Sequence, residues 1–283
     1  MKQQKRRVEI VVLSDIHLGT RGCRAKELLH YLKNVQPETL ILNGDIIDVW
    51  QFSKRYWPNS HMKVVKQILS MASKKTKVYY ITGNHDEVLR KFSGMRMGSL
   101  FIVNDLVLEL GEDKVWFFHG DVFDVIMQHS KWLAKAGAIG YDSLIAINTT
   151  VNAVSRFFGR GQVSLSKKIK ENVKTAVKYI HNFEETAADL AIRKGYQAIA
   201  CGHIHHPEIR TIERPGGSVN YLNSGDWIEN LTALEYSDGI WSMYTHRVEN
   251  LQPHHQQNVD DEVYAEDMKN KQLFQIMLKE FQS

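Results

Sequence analysis

The chain has 283 residues, 43% of them hydrophobic and 24% charged, with a formal net charge of +4. That composition excludes disordered and fibrous classes, and the length suffices for one large domain, or a domain carrying an insertion, with a sizeable core. The net charge is too small to imply nucleic acid, which is not expected as a partner. Neither of the two cysteines, Cys23 and Cys201, stands in a Cys-x-x-Cys pattern, so two reduced thiols in a cytosolic enzyme are expected in preference to a structural disulfide.

After a basic start over 1–7, residues 8–13 form an apolar run that Asp15 and His17 interrupt. It is too short and too polar for a signal peptide, and no later run reaches the length of a membrane span. Strands are predicted at 8–13, 39–42 and 77–81. Helices are predicted at 25–34, where Leu28, Leu29 and Leu32 recur at helical spacing, and at 62–72, with Val64, Val65, Ile68 and Leu69. Such short alternation predicts parallel strands joined by crossover helices. Residues 48–58 carry Trp50, Phe52, Tyr56 and Trp57, which suit a lid or ligand platform and equally suit core packing.

Further strands are predicted at 100–110 and 114–118. The texture then changes: 122–194 lacks strand signals and Pro, and reads as two to four helices inserted into the fold. Its middle, 133–158, is apolar and rich in small residues, and its flank is basic, with Arg156, Arg160, Lys167, Lys168, Lys170, Lys174 and Lys178. One reading is a solvated helix face over an ordinary helical core. The other is an apolar cleft with a cationic rim, suited to an anionic amphiphile and to an anionic membrane surface. Strands return at 198–201, 209–212, 219–222, 232–236 and 240–246; the last four are expected to form an antiparallel meander. The expected organisation is a core of 1–121 and 196–250, a helical cap over 122–195, and a tail over 251–283 ending in a short amphipathic helix with Leu273, Ile276, Met277 and Phe281.

Five of the predicted strands end in Asp, Asn or His beside a Gly. The sequences are Asp15-Ile16-His17-Leu18-Gly19, Gly44-Asp45-Ile46-Ile47-Asp48, Gly83-Asn84-His85-Asp86, His119-Gly120-Asp121 and Gly202-His203-Ile204-His205. One such triplet is ordinary turn chemistry. Five at the ends of strands that share a sheet edge describe a site, since layered α/β folds gather strand ends on one edge. The donors are Asp15, His17, Asp45, Asn84, His119, His203 and His205. Carboxylate, amide and imidazole without thiolate suit Mn, Fe, Zn or Co, and seven donors exceed the needs of one ion. A bridging carboxylate would let the set hold two ions about 3.5 to 4 Å apart. Of the residues beside them, His85 could move a proton or stabilise an anion, and Asp86 could fix its tautomer. His206 lies near the site without a partner in sequence.

In this order these motifs resemble the calcineurin-like metallophosphoesterase family over residues 8–246. The resemblance implies a layered α/β fold, a β-sandwich core flanked by helices. It also implies two divalent ions, most readily Mn. Asp15, His17 and His205 would hold one ion, Asn84, His119 and His203 the other, and Asp45 would bridge. It implies hydrolysis of a phosphoester or phosphoanhydride by a metal-bridging hydroxide, with His85 as a catalytic residue and Asp86 as its partner. Within the family, His119-Gly120-Asp121, the helical insertion after it, the run from Gly202 to Pro207, and Asn223-Ser224-Gly225-Asp226-Trp227 are similar to the UDP-2,3-diacylglucosamine pyrophosphatases of lipid A synthesis. That likeness implies a lipid-nucleotide substrate, acyl chains sheltered by the insertion, and substrate contacts from Arg156, Arg160, Lys167, Lys168 and Lys174. It implies a cytoplasmic protein, peripheral on the inner membrane face. The chain departs from that group at His85, where Arg is common; histidine there is the general phosphoesterase pattern.

Overall fold

The computed structural model describes residues 5–49, 56–124 and 166–247, with side chains from 178 onward in the last segment. In chain order the elements are β1 (Arg6–Leu13), α1 (Ala25–Asn34), β2 (Val35–Asn43), α2 (Asn59–Ser73), β3 (Lys77–Ile81), β4 (Arg96–Met97), β5 (Leu100–Val103), β6 (Asp105–Leu110) and β7 (Asp113–Phe118). There follow α3 (Ser166–Lys194), β8 (Ala198–Cys201), β9 (Glu208–Arg214), β10 (Gly217–Asn223), β11 (Thr232–Ser237) and β12 (Ile240–Thr245). One sheet has the strand order β12-β11-β1-β2-β3-β5-β4 and the other β6-β7-β8-β10-β9. The expected crossovers are present: β1, β2, β3 and β5 run parallel, with Val12 opposite Ile41 and Leu42 opposite Tyr80.

The layers follow from the period-two alternation of strand side chains. In β1, Ile10 and Val12 face the second sheet, where they meet Val115, Phe117, Ala198, Ala200 and Leu222. The alternate residues Val11 and Leu13 face α1 and α2, packing with Leu28, Leu32, Val64 and Ile68. In β7, Val115 and Phe117 point inward while Trp116 and Phe118 turn to α3. Two sheets face to face with helices outside make a sandwich whose central strands are buried on both faces, which explains their continuous apolar runs.

Three expectations are corrected. β2 starts at Val35 rather than residue 39; Pro37 fits within it because β3 begins only opposite Thr39, leaving one side of β2 unpaired there. The run 100–110 is two strands, broken at Asn104, where the chain leaves the first sheet for the second. The last four strands are two hairpins in different sheets: β9 and β10 in one, β11 and β12 in the other. Continuous hydrophobicity is the same on either side of a sheet crossing, so periodicity cannot reveal it.

At both ends of the segment expected as a cap, 122–195, the described residues pack into the core. Val122, Phe123 and, on α3, Phe183, Ala187, Ala188 and Ala191 are fully buried against Trp116, Phe118, Ile199 and Tyr221. Arg210 pairs with Glu184, and Arg214 with Glu185 and Asp189, fastening α3 along β9. This part of α3 is the outer layer of the core. Residues 125–165 and the tail 251–283 lie outside the described residues, as do Trp50 and Phe52; Trp57 is core. Both cysteines are buried free thiols, whose pKa burial pushes to about 12. No helix among the described residues is long and apolar enough to cross a membrane.

Phe183 tests this packing. Truncation to Ala should cost about 3 to 5 kcal/mol of global stability, the range for a buried aromatic, read in a denaturant titration. An unchanged midpoint would mean that α3 does not belong to the core.

Candidate metal centre

The polar loops leave β1, β2, β3, β7, β8 and β10 at one edge of the sandwich. Backbone bonds continue the β1–β2 ladder past the strands: Asp15 N–H to Gly44 O at 3.1 Å, His17 N–H to Asp45 O at 2.9 Å and Leu18 N–H to Ile46 O at 2.9 Å. Gly202 N–H to His119 O continues the β7–β8 ladder in the same way, and across the sandwich Trp227 N–H donates to Asp15 O. The Asn43 amide closes the gap between sheets, donating to Phe118 O at 3.0 Å and Ala200 O at 3.2 Å.

Five of the seven predicted donors sit in the left-handed region: Asp15 (φ 51°), His17 (52°), Asp45 (54°), His203 (69°) and His205 (53°). Non-glycine residues adopt it at a cost of about 1 to 2 kcal/mol each, and it persists only where the surroundings over-determine it. Here it turns successive side chains into one pocket. Space is equally constrained. A Cβ on Gly44 (φ 84°) would lie 2.3 Å from the His119 ring, and one on Gly83 would lie 2.2 Å from Asp45 Oδ1.

Each acid is pinned by one oxygen and presents the other. Asp45 Oδ1 accepts the His85 N–H at 2.8 Å, while Oδ2 lies 3.3 Å from His119 Nε2 and 4.0 Å from His17 Nε2. Asp15 Oδ2 accepts the His203 N–H at 3.0 Å, and Oδ1 faces His205 Nε2 at 3.2 Å. His119 Nδ1 is 3.0 Å from Asn43 O. A carbonyl only accepts, so Nδ1 carries a proton, and once an ion replaces the proton that Asp45 favours on Nε2, that nitrogen presents its lone pair. It does so toward Asp45 Oδ2 and Asn84 Oδ1, each at 3.3 Å.

Three acceptors converging on one point fit a cation. Buried His17 Nε2, with no hydrogen-bond partner among the described residues, fits a second one beside it. Asp15, His17 and His205 bring ligand atoms within 4.8 Å of one another, and so do Asp45, His119 and His203. The electrostatics agree. Burial would raise both acids, yet contact with His205 and the charge of His119 hold Asp15 below its ordinary pKa. The field of His119, with His85 and His17, holds Asp45 well below its own. Burial would lower His119, but Asp45 raises it to about 10. The spot favours positive charge strongly.

The structure thus brings all seven predicted donors together, with His85 beside them; the His17 and His85 rings lie 4.7 Å apart. Asp86 is a correction. It accepts from Tyr80 Oη at 2.6 Å and from the backbone N–H groups of Gly83 and Ile46, and among the described residues none of its hydrogen bonds goes to a histidine ring. Burial, then the nearby Asp45 charge, raises its pKa. It shapes the loop. The partner of His85 is Asp48, whose Oδ2 lies 3.0 Å from Nδ1, with His17 Nδ1 at 3.8 Å. Asp48 was visible in Gly-Asp-x-x-Asp; its partner was not, because 37 residues separate the two.

The sequence carried no signal for Asp124 and Tyr179. Asp124 takes His203 Nε2 at 3.1 Å and also the Tyr179 hydroxyl, which α3 supplies. Arg90 holds Asp121 at 2.6 Å. Asp226 caps the turn at Ile228 and Glu229, and Asn230 holds His205 O at 3.0 Å. Of the predicted substrate contacts, Arg156 and Arg160 lie outside the described residues. Lys167, Lys168 and Lys174 belong to α3, where their side chains lie outside the description.

Paired acids and imidazoles at the strand ends of a two-sheet sandwich define a class of metal-dependent hydrolase. The chain belongs to the calcineurin-like phosphoesterase family, whose sequence model matches residues 8–207. It is similar to the UDP-2,3-diacylglucosamine hydrolase of Aliivibrio fischeri (strain MJ11), with 25% identity over 249 residues, 83% of this chain and 97% of that protein. The enzyme of the same name from Aeromonas salmonicida (strain A449) is 24% identical, covering 85% and 94%. Among solved structures, an archaeal phosphodiesterase aligns with TM-score 0.40 and 13% identity over 83% of this chain and 98% of that one.

Gly83→Ala should leave the circular dichroism spectrum intact and strip bound metal, because the new methyl displaces Asp45. Full metal content by elemental analysis would contradict the role given to this contact.

Proposed function

We propose that the chain hydrolyses UDP-2,3-diacylglucosamine to UMP and 2,3-diacylglucosamine 1-phosphate with two divalent ions, Mn foremost. The reading rests on the convergence of Asp45 Oδ2, His119 Nε2 and Asn84 Oδ1, and is given its substrate by the relatives' printed activity. Asp15, His17 and His205 would hold one ion and Asn84, His119 and His203 the other, with Asp45 between them. Such ions lower the pKa of water and neutralise charge on a phosphoryl group.

The chain's own residues do the rest. Asp48 holds His85 by Nδ1, so that Nε2 points inward, 3.9 Å from Asp45 Oδ2. With its side chain 28% exposed, against 3% for Asp45, His85 is accessible to a substrate. It is placed to protonate the departing oxygen or to donate to the phosphoryl group. Asp124 and Tyr179 orient His203. Arg156, Arg160, Lys167, Lys168 and Lys174 are proposed as the cationic rim that receives phosphates and anionic headgroups. The apolar stretch 133–158 is proposed to shelter acyl chains, with the protein working at the cytoplasmic face of the inner membrane.

A second reading is favoured by His85 itself, which stands where that group commonly carries Arg. It keeps the metals and takes another phosphodiester, nucleotide or phosphoprotein as substrate. Turnover with Mn²⁺ on UDP-2,3-diacylglucosamine beside bis-p-nitrophenyl phosphate separates the two. Strong preference for the lipid nucleotide is expected; activity on the generic ester alone would reject the lipid substrate. Asp45→Ala should abolish turnover and metal binding. His85→Ala should retain metal and slow turnover by about 10²- to 10⁴-fold, the scale of one general acid. Asp48→Asn should slow it less, since the imidazole keeps its place and loses its charged partner.

A further inference from the structure

We propose a separate site for a divalent cation, of the zinc type, formed by Glu184, His206 and Glu208 on the flank of the catalytic edge. Glu184 comes from α3, His206 from the loop directly after His205, and Glu208 from the first residue of β9. The three bring ligand atoms within 4.8 Å of one another. None belongs to the seven-donor centre, and His206 was the one histidine near that centre for which the sequence offered no partner.

The geometry has the scale of a coordination sphere. His206 Nδ1 lies 3.6 Å from Glu208 Oε2. Two ligands at about 2.1 Å from a tetrahedral ion stand about 3.4 Å apart, so the pair needs little movement to share one. Glu184 supplies the independent observation. It is only 4% exposed, and its Oε1 has no hydrogen-bond partner among the described residues. Its Oε2 is occupied by Arg210 Nη2 at 2.5 Å. A buried carboxylate oxygen left unpaired is costly, and a cation is one of the few partners that repays it. Arg210 also orients the carboxylate, the usual service of an outer partner to a metal ligand.

One imidazole and two carboxylates leave room for a water, the ligand number of open zinc sites, and mixed nitrogen and oxygen ligation favours zinc over calcium or magnesium. Arg210 offsets part of the negative charge, so this site should bind more weakly than the catalytic pair. An ion here would clip α3 to the loop that carries His203 and His205.

The test is equilibrium dialysis of the full chain against Zn²⁺, with bound zinc counted by elemental analysis for the wild type, His206→Ala and Glu208→Gln. Both altered side chains are solvent-accessible, so the variants should fold; Glu184→Gln is avoided because that residue is buried. Each variant should bind one equivalent less than the wild type and keep its Mn²⁺-supported turnover of bis-p-nitrophenyl phosphate. Equal zinc counts would overturn the site. Loss of turnover together with the equivalent would also overturn it, by assigning these residues to the catalytic centre. The count is a difference between proteins, so it stands whether or not the proposed two-metal reading holds; a wild type inactive on every phosphoester would reject that reading alone.

Discussion

The Asp45 carboxylate is the constraint on which the rest of the site depends. One oxygen is held by the His85 N–H at 2.8 Å; the other faces His119, His17 and His85 within 4.0 Å. Such a buried anion is tolerable only among positive partners, because removal from water costs several kcal/mol even after relaxation. The same contact dictates backbone around it. Asp45 occupies the left-handed region, Gly83 must lack a side chain to let Oδ1 in, and Gly44 must lack one to let the His119 ring pass.

The sandwich exists, in functional terms, to deliver both sides of that pocket. The first sheet brings Asp15, His17, Asp45, Asn84 and His85; the second brings His119, His203 and His205. Neither half holds enough donors for two ions. The Asn43 amide, the Ser14–Ser224 hydroxyl pair at 2.7 Å and the Trp227 N–H to Asp15 O bond lock the two edges in register. These short polar cross-links sit beneath the site, over the buried apolar layer between the sheets, so the donors are carried by packed and cross-linked structure.

Asp48 and Asp86 show how local sequence misassigns roles. Asp86 adjoins His85 in the chain, yet the turn at Gly83 sends its carboxylate back to Tyr80 and the backbone of residues 83 and 46. Asp48, on another loop, reaches the imidazole instead. A turn that uses an acid to cap its own N–H groups cannot also aim it at the neighbouring ring. Asp124, bound to His203 from one side and to Tyr179 from the other, is a tertiary meeting of three separate segments.

The sequence by itself determined the strand–helix alternation of the first half, the boundaries of α1 and β3, and the seven donors. Each of these is a local pattern: hydrophobic period, or a polar residue beside Gly at a strand end. Tertiary structure alone decided that the run 100–110 crosses between sheets at Asn104, that the last four strands divide between two sheets, and that half of α3 belongs to the core. It alone decided which acid serves which histidine. These outcomes depend on distances between residues far apart in the chain, and a side chain's hydrogen-bond partner is chosen by the packing of whole layers, about which local spacing carries no information.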